Sequence, residues 1–539
     1  MRGADLLVQA LKTEGVTRIF SLSGNQIMPV YDACVGQGIE IIHTRHEAAA
    51  VFMAEAHAQL TGEVGVALVT AGGGLSNAVG PLFSARESET AVLLLSGDAA
   101  IGEDGRGAFQ EMDQTALTAP LCKLAIRPRH AADLGHSVAR AFRVARSGRP
   151  GPVHVALPFD VLEADAGEAV PPAASAFSRV PQQMGEGDAR LIAQALASAR
   201  KPVVLVGPAL NRSRTGDLLD RLSDALSAPV VPMESPRGLK DPALGAVAEV
   251  LAQADLIVSL GKKVDFTLSF GAPPAVASGT GWIMVDADPR EQDRAHRNLG
   301  SRLKLAITAD PLDAAKRLVD LGRQGGDGRA GDWRAEVAAL LQARSFSVEA
   351  PDPERRITSA QLCAAVARQM RTATASISIC DGGEFGQWAQ AILPGDRRII
   401  NGPSGVIGGR LCYAPAAALA VPDAVVFSLM GDGSCGFHFA EIETAARHGA
   451  ACVIVIGNDL RWNAEHQIQL RDYGPDRLIG CQLSAARYDL ACAALGGHGE
   501  YVTRHEDLDA ALERAVASGT VACVNVMIDG APAPTMLPR

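Results

Sequence analysis

The chain has 539 residues, of which 47% are hydrophobic and 20% are charged. This length exceeds one ordinary domain and the composition is that of compact proteins, so we expect two or three packed domains and exclude a disordered chain. The 50 Lys and Arg residues against 60 Asp and Glu residues give a formal charge of −10 without a basic block. That balance argues against a nucleic-acid partner.

The ten cysteines show neither a CxxC pair nor a Cys/His spacing that suggests a metal site. Most of them lie in apolar stretches, which indicates reduced core residues. The first residues lack the charged-then-apolar pattern of a signal peptide, and the most apolar run, near 411–430, is interrupted by Pro422 and Asp423. We therefore expect a cytoplasmic protein with no membrane partner.

Short apolar runs alternate with helical stretches from the start of the chain. In the first block the runs predict strands at 17–22, 39–43, 64–70, 90–96 and 153–157. Amphipathic segments of ten or more residues between such runs are typical of parallel α/β sheets. A stretch rich in Pro, Ala and Ser near 165–185 interrupts the pattern and is predicted to be a linker.

The alternation resumes twice. The later runs predict strands at 202–206, 255–260, 282–286, 376–380, 424–430, 451–457 and 521–528. We therefore predict an α/β fold with three doubly wound parallel-sheet domains, at residues 1–165, 185–330 and 355–530.

A glycine-rich turn in the third block is the first candidate site. The run 424–430 leads into the turn Gly431-Asp432-Gly433-Ser434, and a helix is predicted over 436–448. Glycines let the backbone approach a phosphate, the first N–H groups of a helix favour an anion, and Asp432 offers a hard oxygen ligand. Taken alone, such a turn is more often structural.

The next strand supplies a second oxygen donor. The run 451–457 ends at Asn458-Asp459, twenty-seven residues after Asp432. Adjacent strands of a parallel sheet end on the same rim, where ligands bind in open α/β folds. The two carboxylates are therefore predicted to converge on one cation.

This pairing resembles the signature of the thiamine diphosphate (ThDP) enzymes, in which Gly-Asp-Gly, a helix, a strand and Asn-Asn follow in this order. The resemblance implies Mg²⁺ held by the side chains of Asp432 and Asp459 and by the main-chain carbonyl of Arg461. It also implies a diphosphate beside Gly431, Gly433 and Ser434. Position 459 is Asp where the family usually has Asn, and the extra charge should tighten the metal while slightly disfavouring the diphosphate.

Glu47 is the candidate proton donor of the cofactor. It follows the predicted strand 39–43 and lies in an Ala-rich helix predicted over 46–60. Without other information it is a first-turn glutamate favoured by the helix dipole. In the acetolactate synthase branch of the family, however, Arg-His-Glu before small residues has this place, and its Glu contacts N1′ of the pyrimidine. A carboxylic acid there can share the proton that the ring needs to activate the thiazolium C2.

Further segments match the family in the same order along the chain. The resemblance implies that Ile407 wedges beneath the cofactor and that the carbonyl of Gly405 accepts from its 4′-amino group. Gln110, in a Phe-Gln-Glu segment, would lie on the substrate side. The remaining cofactor-binding residues are expected to be Gly24, Asn25, Thr70, Gly72, Gly73 and Asn77. The outer domains would then bind the pyrimidine and the diphosphate respectively.

The substrate is less clearly marked. Acetolactate synthases usually have an apolar pair where this chain has Ala464-Glu465, followed by His466. A Glu at this place resembles pyruvate decarboxylases and cyclic-dione-cleaving members, where it handles protons near C2; the alternative is a solvated helix face. We take Glu47, Gln110, Glu465 and His466 as the candidate catalytic residues.

The resemblance implies an enzyme of 2-oxo acids or 2-hydroxy ketones, a small carbonyl substrate, and a homodimer or dimer of dimers with the active site between subunits. The alternatives are a catalytically silent homologue with a scaffold role and a 2-hydroxyacyl-CoA lyase. Bound FAD or ADP is not readable because the middle block lacks a GxGxxG motif, although residues 261–266 resemble a segment near the nucleotide in FAD-bearing relatives.

Overall fold

In a computed structural model, which describes residues 1–322, 331–394 and 397–535, the chain forms three α/β units, each with one parallel sheet. The prediction of three parallel-sheet domains is confirmed. Each predicted strand is present, with ends within two residues of the predicted ones. The exact domain limits remain predictions, and residues 323–330, at the predicted end of the middle domain, lie outside the described residues.

The first unit contains six strands. They are β1 Arg18–Ser21, β2 Glu40–His43, β3 Gly65–Val69, β4 Val92–Asp98, β5 Ala125–Ile126 and β6 Val153–Pro158. The helices are α1 Gly3–Thr13, α2 Met28–Cys34, α3 Glu47–Thr61, α4 Gly73–Glu87, α5 Gln114–Thr118, α6 Leu134–Arg146 and α7 Phe159–Glu163. The strand order is β2-β1-β3-β4-β6-β5.

The middle unit contains five strands. They are β7 Pro202–Val206, β8 Val230–Pro232, β9 Leu256–Leu260, β10 Gly281–Asp286 and β11 Leu303–Thr308. The helices are α8 Glu186–Ser198, α9 Arg212–Thr215, α10 Leu218–Leu226, α11 Val247–Gln253, α12 Pro289–Leu299, α13 Pro311–Gly322 and α14 Gly331–Gln342. The strand order is β11-β10-β9-β7-β8.

The third unit contains six strands. They are β12 Ser376–Cys380, β13 Arg398–Ile400, β14 Val425–Gly431, β15 Val453–Asn458, β16 His498–Val502 and β17 Ala522–Met527. The helices are α15 Ser359–Thr372, α16 Gly383–Ile392, α17 Arg410–Ala420, α18 Asp432–Cys435, α19 Glu441–Arg447, α20 Asn463–Tyr473, α21 Tyr488–Ala494 and α22 Leu508–Ala517. The strand order is β13-β12-β14-β15-β17-β16.

All three sheets share one topological feature. In each, the first strand pairs with the second on one side and with the third on the other, so the order reverses at β1/β3, at β7/β9 and at β12/β14. Open parallel sheets bind ligands outside the carboxyl ends of their strands at such a reversal. The fold therefore provides three candidate crevices, one in each unit.

The first and third units share a hydrophobic core. The Ala-rich helix α3 is buried along most of its length, and its small side chains let it pack closely against α17. The rings of Phe52 and Tyr413 lie 6.2 Å apart across this contact. The packing ties the start of α3 to the third unit.

Two predicted segments differ in detail from the structure. The predicted linker 165–185 includes a short 3-10 turn, Ala174–Phe177, whose Phe177 is fully buried against Phe142 of α6. The helix predicted over 436–448 was wrong in extent, because α18 begins at Asp432 and a break precedes α19. Among the described helices, none combines the length and apolar character that crossing a membrane requires.

Candidate active site

Asp432 and Asp459 lie at the same rim of the third sheet. Asp432 directly follows β14 and Asp459 directly follows β15, and these neighbouring parallel strands are in register from Phe427 and Val453 to Gly431 and Gly457. The side chains are almost fully buried, with exposed fractions of 1% for Asp432 and 3% for Asp459. The sequence-predicted convergence of the two strand ends is therefore present in the fold.

Burial leaves the Asp432 carboxylate short of partners. Neither Oδ atom of Asp432 has a hydrogen-bond partner among the described residues. Burial raises the pKa of Asp432 to about 6, since nearby main-chain N–H groups offset only part of the lost hydration. Burial, and then the charge of Asp432, raise the pKa of Asp459 to about 7. Two buried acids that are costly to ionise together form a site that a cation would stabilise.

A cavity of about 240 Å³ lies beside the two carboxylates. The predicted residues that line it are Gly405, Ile407, Gly431, Asp432, Gly433, Ser434, Asp459, Arg461 and Glu465. At Gly405 and Gly431 a Cβ atom would meet nothing within 4 Å, so the backbone there is open to the cavity. The structure thus brings the predicted residues of the third unit together around one space.

At two other positions of this cavity, glycine is required because a neighbouring side chain packs against the backbone. A Cβ on Gly433 would lie 2.6 Å from the Trp462 ring, so Gly433 is required by the packing of that indole. A Cβ on Gly382 would lie 2.8 Å from Cγ2 of Ile407. These two close contacts hold the side chains that form the cavity wall.

Asp381 positions the segment that carries Ile407, and sequence reasoning missed it. The side chain is fully buried at the end of β12, and it accepts hydrogen bonds of 2.7 Å from the main-chain N–H groups of Gly382 and Gly408. A detectable signal was present, because Asp381-Gly382-Gly383 follows a predicted strand just as Asp432 does.

The middle unit contributes Arg237, which also was not predicted. Arg237 lines the cavity and its Nη2 donates to Oε1 of Glu384, at 3.2 Å. Glu384 lies in the first turn of α16 and also accepts from the N–H of Ala533. The arginine comes from a different unit than the carboxylates, so no local pattern marks it.

The C-terminal segment closes against the metal-ligand candidates. A Cβ on Gly530 would lie 3.1 Å from Cβ of Asp459. The carbonyl of Gly530 accepts from Nδ2 of Asn463 at 3.0 Å, and that of Pro532 accepts from Nε1 of Trp388. This part of the chain therefore packs against Asp459, α16 and α20.

The two candidate proton-transfer residues on α20 differ in position. Glu465 is exposed and lines the cavity, whereas His466 is not among the described residues that line it. Nε2 of His466 lies 3.3 Å from Nη1 of Arg461. Partial burial and then the charge of Arg461 lower the pKa of His466.

A second group of predicted residues lies at the β1/β3 crevice of the first unit. A Cβ on Gly24 would lie 2.3 Å from Cβ of Thr70, so only glycine permits this approach of the two strand ends. Thr70 Oγ1 donates to Oε1 of Gln26 at 2.6 Å. Asn25, next to them, is exposed.

Glu47 is oriented by Asn77. The α3 helix begins at Glu47, after the His46 ring accepts from the N–H of Ala48, and Nδ2 of Asn77 donates to Oε2 of Glu47 at 3.0 Å. A Cβ on Gly74 would lie 3.5 Å from Oε1 of the same carboxylate. Glu47 is half-buried, and Asn77 is exposed beside it.

Gln110 lies beside the start of α4. A Cβ on Gly72 would lie 2.8 Å from Cβ of Gln110, and the N–H of Gly72 donates to Gln114 at 3.1 Å. Gly73 has open space around it. The first unit therefore presents its predicted residues in one region of its surface.

The two groups do not share the cavity of the single chain. The described residues that line it come from the middle and third units alone. Hydrogen bonds tie the loop before Glu47 to α19, including the N–H of Arg45 to Glu441 and Nη2 of Arg447 to the carbonyl of His43. The first-unit group and the cavity are therefore separate regions of the single chain.

The residues fit a divalent cation and a diphosphate. Carboxylate oxygens are the hard ligands that such a cation prefers, and those of Asp432 are buried without hydrogen-bond partners. The open backbone at Gly405 and Gly431 leaves room beside them for phosphate oxygens.

Comparison with known proteins agrees with this geometry. Three family models of thiamine pyrophosphate enzymes match the chain. The N-terminal TPP binding domain matches residues 1–117, the central domain matches 189–318, and the C-terminal TPP binding domain matches 381–526. The chain belongs to the thiamine pyrophosphate enzyme family. The prediction that it is a ThDP-dependent enzyme is confirmed, and thiamine diphosphate is its cofactor.

The chain is similar over nearly its whole length to two kinds of protein in this family. It is 32% identical to the acetolactate synthase large subunit IlvG of Mycobacterium tuberculosis over 544 residues, which cover 98% of this chain and 96% of that protein. It is also 32% identical to human 2-hydroxyacyl-CoA lyase 2 over 554 residues, which cover 94% of this chain and 86% of that protein. The chain is therefore an acetolactate synthase-like ThDP enzyme, a lyase or transferase.

Proposed function

We propose that this enzyme uses ThDP with Mg²⁺ to break or form the carbon–carbon bond beside the carbonyl of a small 2-oxo acid. The observation that carries the proposal is a cavity that combines two buried carboxylates with two arginines, Arg237 and Arg461. The carboxylates suit a metal-held diphosphate, and the arginines suit the carboxylate of a substrate.

In this proposal the metal ligands are the side chains of Asp432 and Asp459 and the main-chain carbonyl of Arg461. Gly431, Gly433 and Ser434, which line the cavity, would hold the diphosphate, and Gly405 and Ile407 would hold the rest of the cofactor. Nε of Arg461 donates to the main-chain carbonyl of Asp459 at 3.0 Å, and this hydrogen bond fixes the turn between Asp459 and Arg461.

When bound, ThDP supplies a carbanion that attacks a carbonyl and an electron sink that stabilises the resulting negative charge. The protein contributes position and proton control. Glu47 holds the proton that the pyrimidine N1′ needs, and Asn77 orients its carboxyl group. Glu465, which lines the cavity, is placed to move a proton to or from the substrate, and His466 acts beside it through Arg461.

We infer a homodimer, or a dimer of dimers, in which the Glu47 group of one protomer meets the cavity of another. The separation of the two groups in the single chain supports this arrangement. Exposed apolar side chains on and after α20, including Ile468, Tyr473 and Ile479, also favour a covered surface near the cavity. The ten free cysteines suit the proposed cytoplasmic location.

A substrate screen tests the function. The enzyme with ThDP and Mg²⁺ is incubated with 2-oxo acids, acyloins, cyclic diones and 2-hydroxyacyl-CoAs, and products are identified by mass spectrometry. We expect CO₂ release or ligation from a 2-oxo acid. Cleavage of 2-hydroxyacyl-CoAs alone would instead assign the lyase activity that the human relative's name states, and ThDP binding without turnover of any 2-oxo acid would contradict the proposed substrate class.

The control for the substrate screen is Arg237→Leu. This variant removes a cation that lines the cavity and leaves the proposed metal ligands unchanged. We expect a raised KM for the 2-oxo acid with ThDP affinity retained. An unchanged KM would contradict the proposed recognition of a carboxylate.

Asp459→Asn is expected to keep activity. An amide oxygen still ligates the metal, and the change removes the repulsion between two buried acids. We expect Mg²⁺ affinity, measured by activity against metal concentration, to fall by no more than about tenfold, which is about 1.4 kcal/mol. Asp459→Ala is the matched variant that removes the ligand and should lose Mg²⁺-dependent activity. Equal loss in both variants would mean that the site requires the charge.

A further inference from the structure

The β7/β9 crevice of the middle unit is occupied by a side chain of the protein itself. Topology makes it equivalent to the crevices of the outer units, which carry the proposed cofactor residues. Gly207 follows β7 and Gly261 follows β9, and the N–H of Gly207 donates to the carbonyl of Leu260 at 3.2 Å. A Cβ on Gly207 would lie 2.5 Å from the carbonyl oxygen of Gly261. The two strand ends are therefore drawn together.

The side chain that enters this crevice belongs to the first unit. Glu89 lies just after α4 and is 3% exposed. The N–H of Ala209 donates to its Oε2 at 3.1 Å, and Arg149 forms an ion pair with its Oε1. These are a main-chain N–H and a guanidinium, the groups that proteins use to bind phosphate oxygens.

Nη2 of Arg149 contacts the middle unit. Nη2 of Arg149 donates to the carbonyl of Gly261 at 3.1 Å and pairs with Asp286, whose side chain is completely buried at the end of β10. The guanidinium thus lies between two acids and a carbonyl at the carboxyl ends of β9 and β10.

The backbone around Glu89 is held by the middle unit as well. Glu89 has φ +54°, a left-handed conformation that is uncommon for a residue with a side chain. Nη1 of Arg214, on α9, donates to the Glu89 carbonyl at 2.8 Å, and its Nη2 donates to the Ser88 carbonyl at 2.7 Å. Contacts to the main chain and to the carboxylate together fix the insertion.

Most basic side chains of the large cavity next to the crevice are already engaged. The cavity has a volume of about 1070 Å³ and lies between the first and middle units. Lys263 pairs with Glu87 at 2.8 Å, Arg290 with Asp288 at 2.7 Å, and Arg294 with Glu291 at 2.6 Å. Lys123 instead donates to the main-chain carbonyls of Val144 and Ser147. Incoming phosphates would have to compete with these acids and carbonyls.

We propose that Glu89 is an internal anion that takes the phosphate position of the middle-domain crevice, so that this crevice joins two domains and binds neither FAD nor ADP. The FAD or ADP that the family resemblance allowed does not fit these residues. The inference concerns the middle unit alone and stands whichever carbonyl substrate the active site accepts.

The first test is nucleotide content. Protein loaded with ThDP and Mg²⁺ is denatured and its released nucleotides are separated by chromatography, and FAD and ADP are titrated calorimetrically into the intact holoenzyme. We expect no FAD or ADP in the released material and no saturable binding. Stoichiometric FAD or ADP, or saturable binding of either, would overturn the proposal.

The second test opens the crevice with Glu89→Ala. We expect a lower Tm than for Glu87→Ala, which removes a charge from the same domain boundary two residues away, and recovery of several degrees on adding acetate or ADP. The wild type should not respond to either anion; Glu87→Ala serves only as the reference for stability, because it frees Lys263. A Glu89→Ala protein as stable as Glu87→Ala and indifferent to anions would contradict the proposal.

Glu89→Gln serves if the alanine variant does not fold. The amide keeps the shape of the side chain but loses its charge, so we expect a lower Tm than wild type and no recovery with acetate. A Tm equal to that of wild type would overturn the role of the carboxylate charge. These readouts do not use turnover, so they fail independently of the proposed 2-oxo acid activity.

Discussion

Glu47→Gln should abolish H/D exchange at C2 of bound ThDP while leaving cofactor binding nearly unchanged. Gln keeps the size of the side chain and accepts the hydrogen bond from Asn77, but it has no acidic proton to share with N1′. Positioned proton transfer contributes about 10²- to 10⁴-fold, so kcat should fall by about that factor. NMR of the quenched cofactor measures the exchange, and thermal shift with ThDP and Mg²⁺ measures binding.

Glu63→Gln is the matched control for this prediction. Glu63 lies just past the end of the same helix, with its side chain 59% exposed and paired with His57. The variant makes the same chemical change outside the site, so its exchange rate should equal that of wild type. Exchange near the wild-type rate in Glu47→Gln would remove Glu47 from the proton relay.

The fold was largely predictable because its central strands are apolar. Buried parallel strands read as continuous apolar runs, and each such run became a strand. The missed strands included the edge strands β5, β8, β13 and β16, of which β5 has only two residues and β16 carries His498, Glu500 and Tyr501. Short or polar edge strands leave no run to detect.

Tertiary packing explains the helix that was predicted too long. The stretch 436–448 has helical spacing, but the chain is not continuously helical there. Phe437 packs over Gly408, and a Cβ on Gly408 would lie 2.5 Å from Cβ of Phe437. The ring of Phe437 packs edge-on against Trp462, with 6.0 Å between the ring centres. These contacts come from distant segments, so the local pattern carried no sign of them.

The candidate site was predictable where strand ends define it. Asp432 and Asp459 follow apolar runs, and the parallel sheet places both at one rim. Arg237 and Glu384 were not predictable, because their contact joins two units whose arrangement no local pattern encodes. Asp381 could have been found by the rule that identified Asp432.

Asp432→Ala should have opposite effects on the protein with and without its cofactors. The wild-type carboxylate is buried without hydrogen-bond partners, and its folded-state pKa of about 6 lies above the ordinary value for an aspartate. Ionisation therefore costs more in the folded than in the unfolded protein. At pH well above 6 the variant without cofactors should gain about 1–3 kcal/mol in the free energy of unfolding.

The size of this gain depends on pH. Below about pH 4 the carboxyl group is protonated in both states, so the advantage of the variant should disappear. With Mg²⁺ and ThDP present, the wild type should instead be more stable than Asp432→Ala. Only the wild type has the Asp432 carboxylate that would bind Mg²⁺, so it alone should be stabilised by the two cofactors. Thermal unfolding of both proteins, with and without the cofactors and at two pH values, measures the stability difference between variant and wild type under each of the four conditions.

Asp423→Ala is the control for this last experiment, since Asp423 is an exposed acid two residues before the same strand. It should neither stabilise the cofactor-free protein nor weaken the response to Mg²⁺ and ThDP. A wild-type response to both cofactors in Asp432→Ala would contradict the metal assignment. Because main-chain N–H groups offset only part of the cost of the buried charge and a bound cation would offset more, the residue that weakens the cofactor-free fold is the one on which we expect cofactor binding to depend.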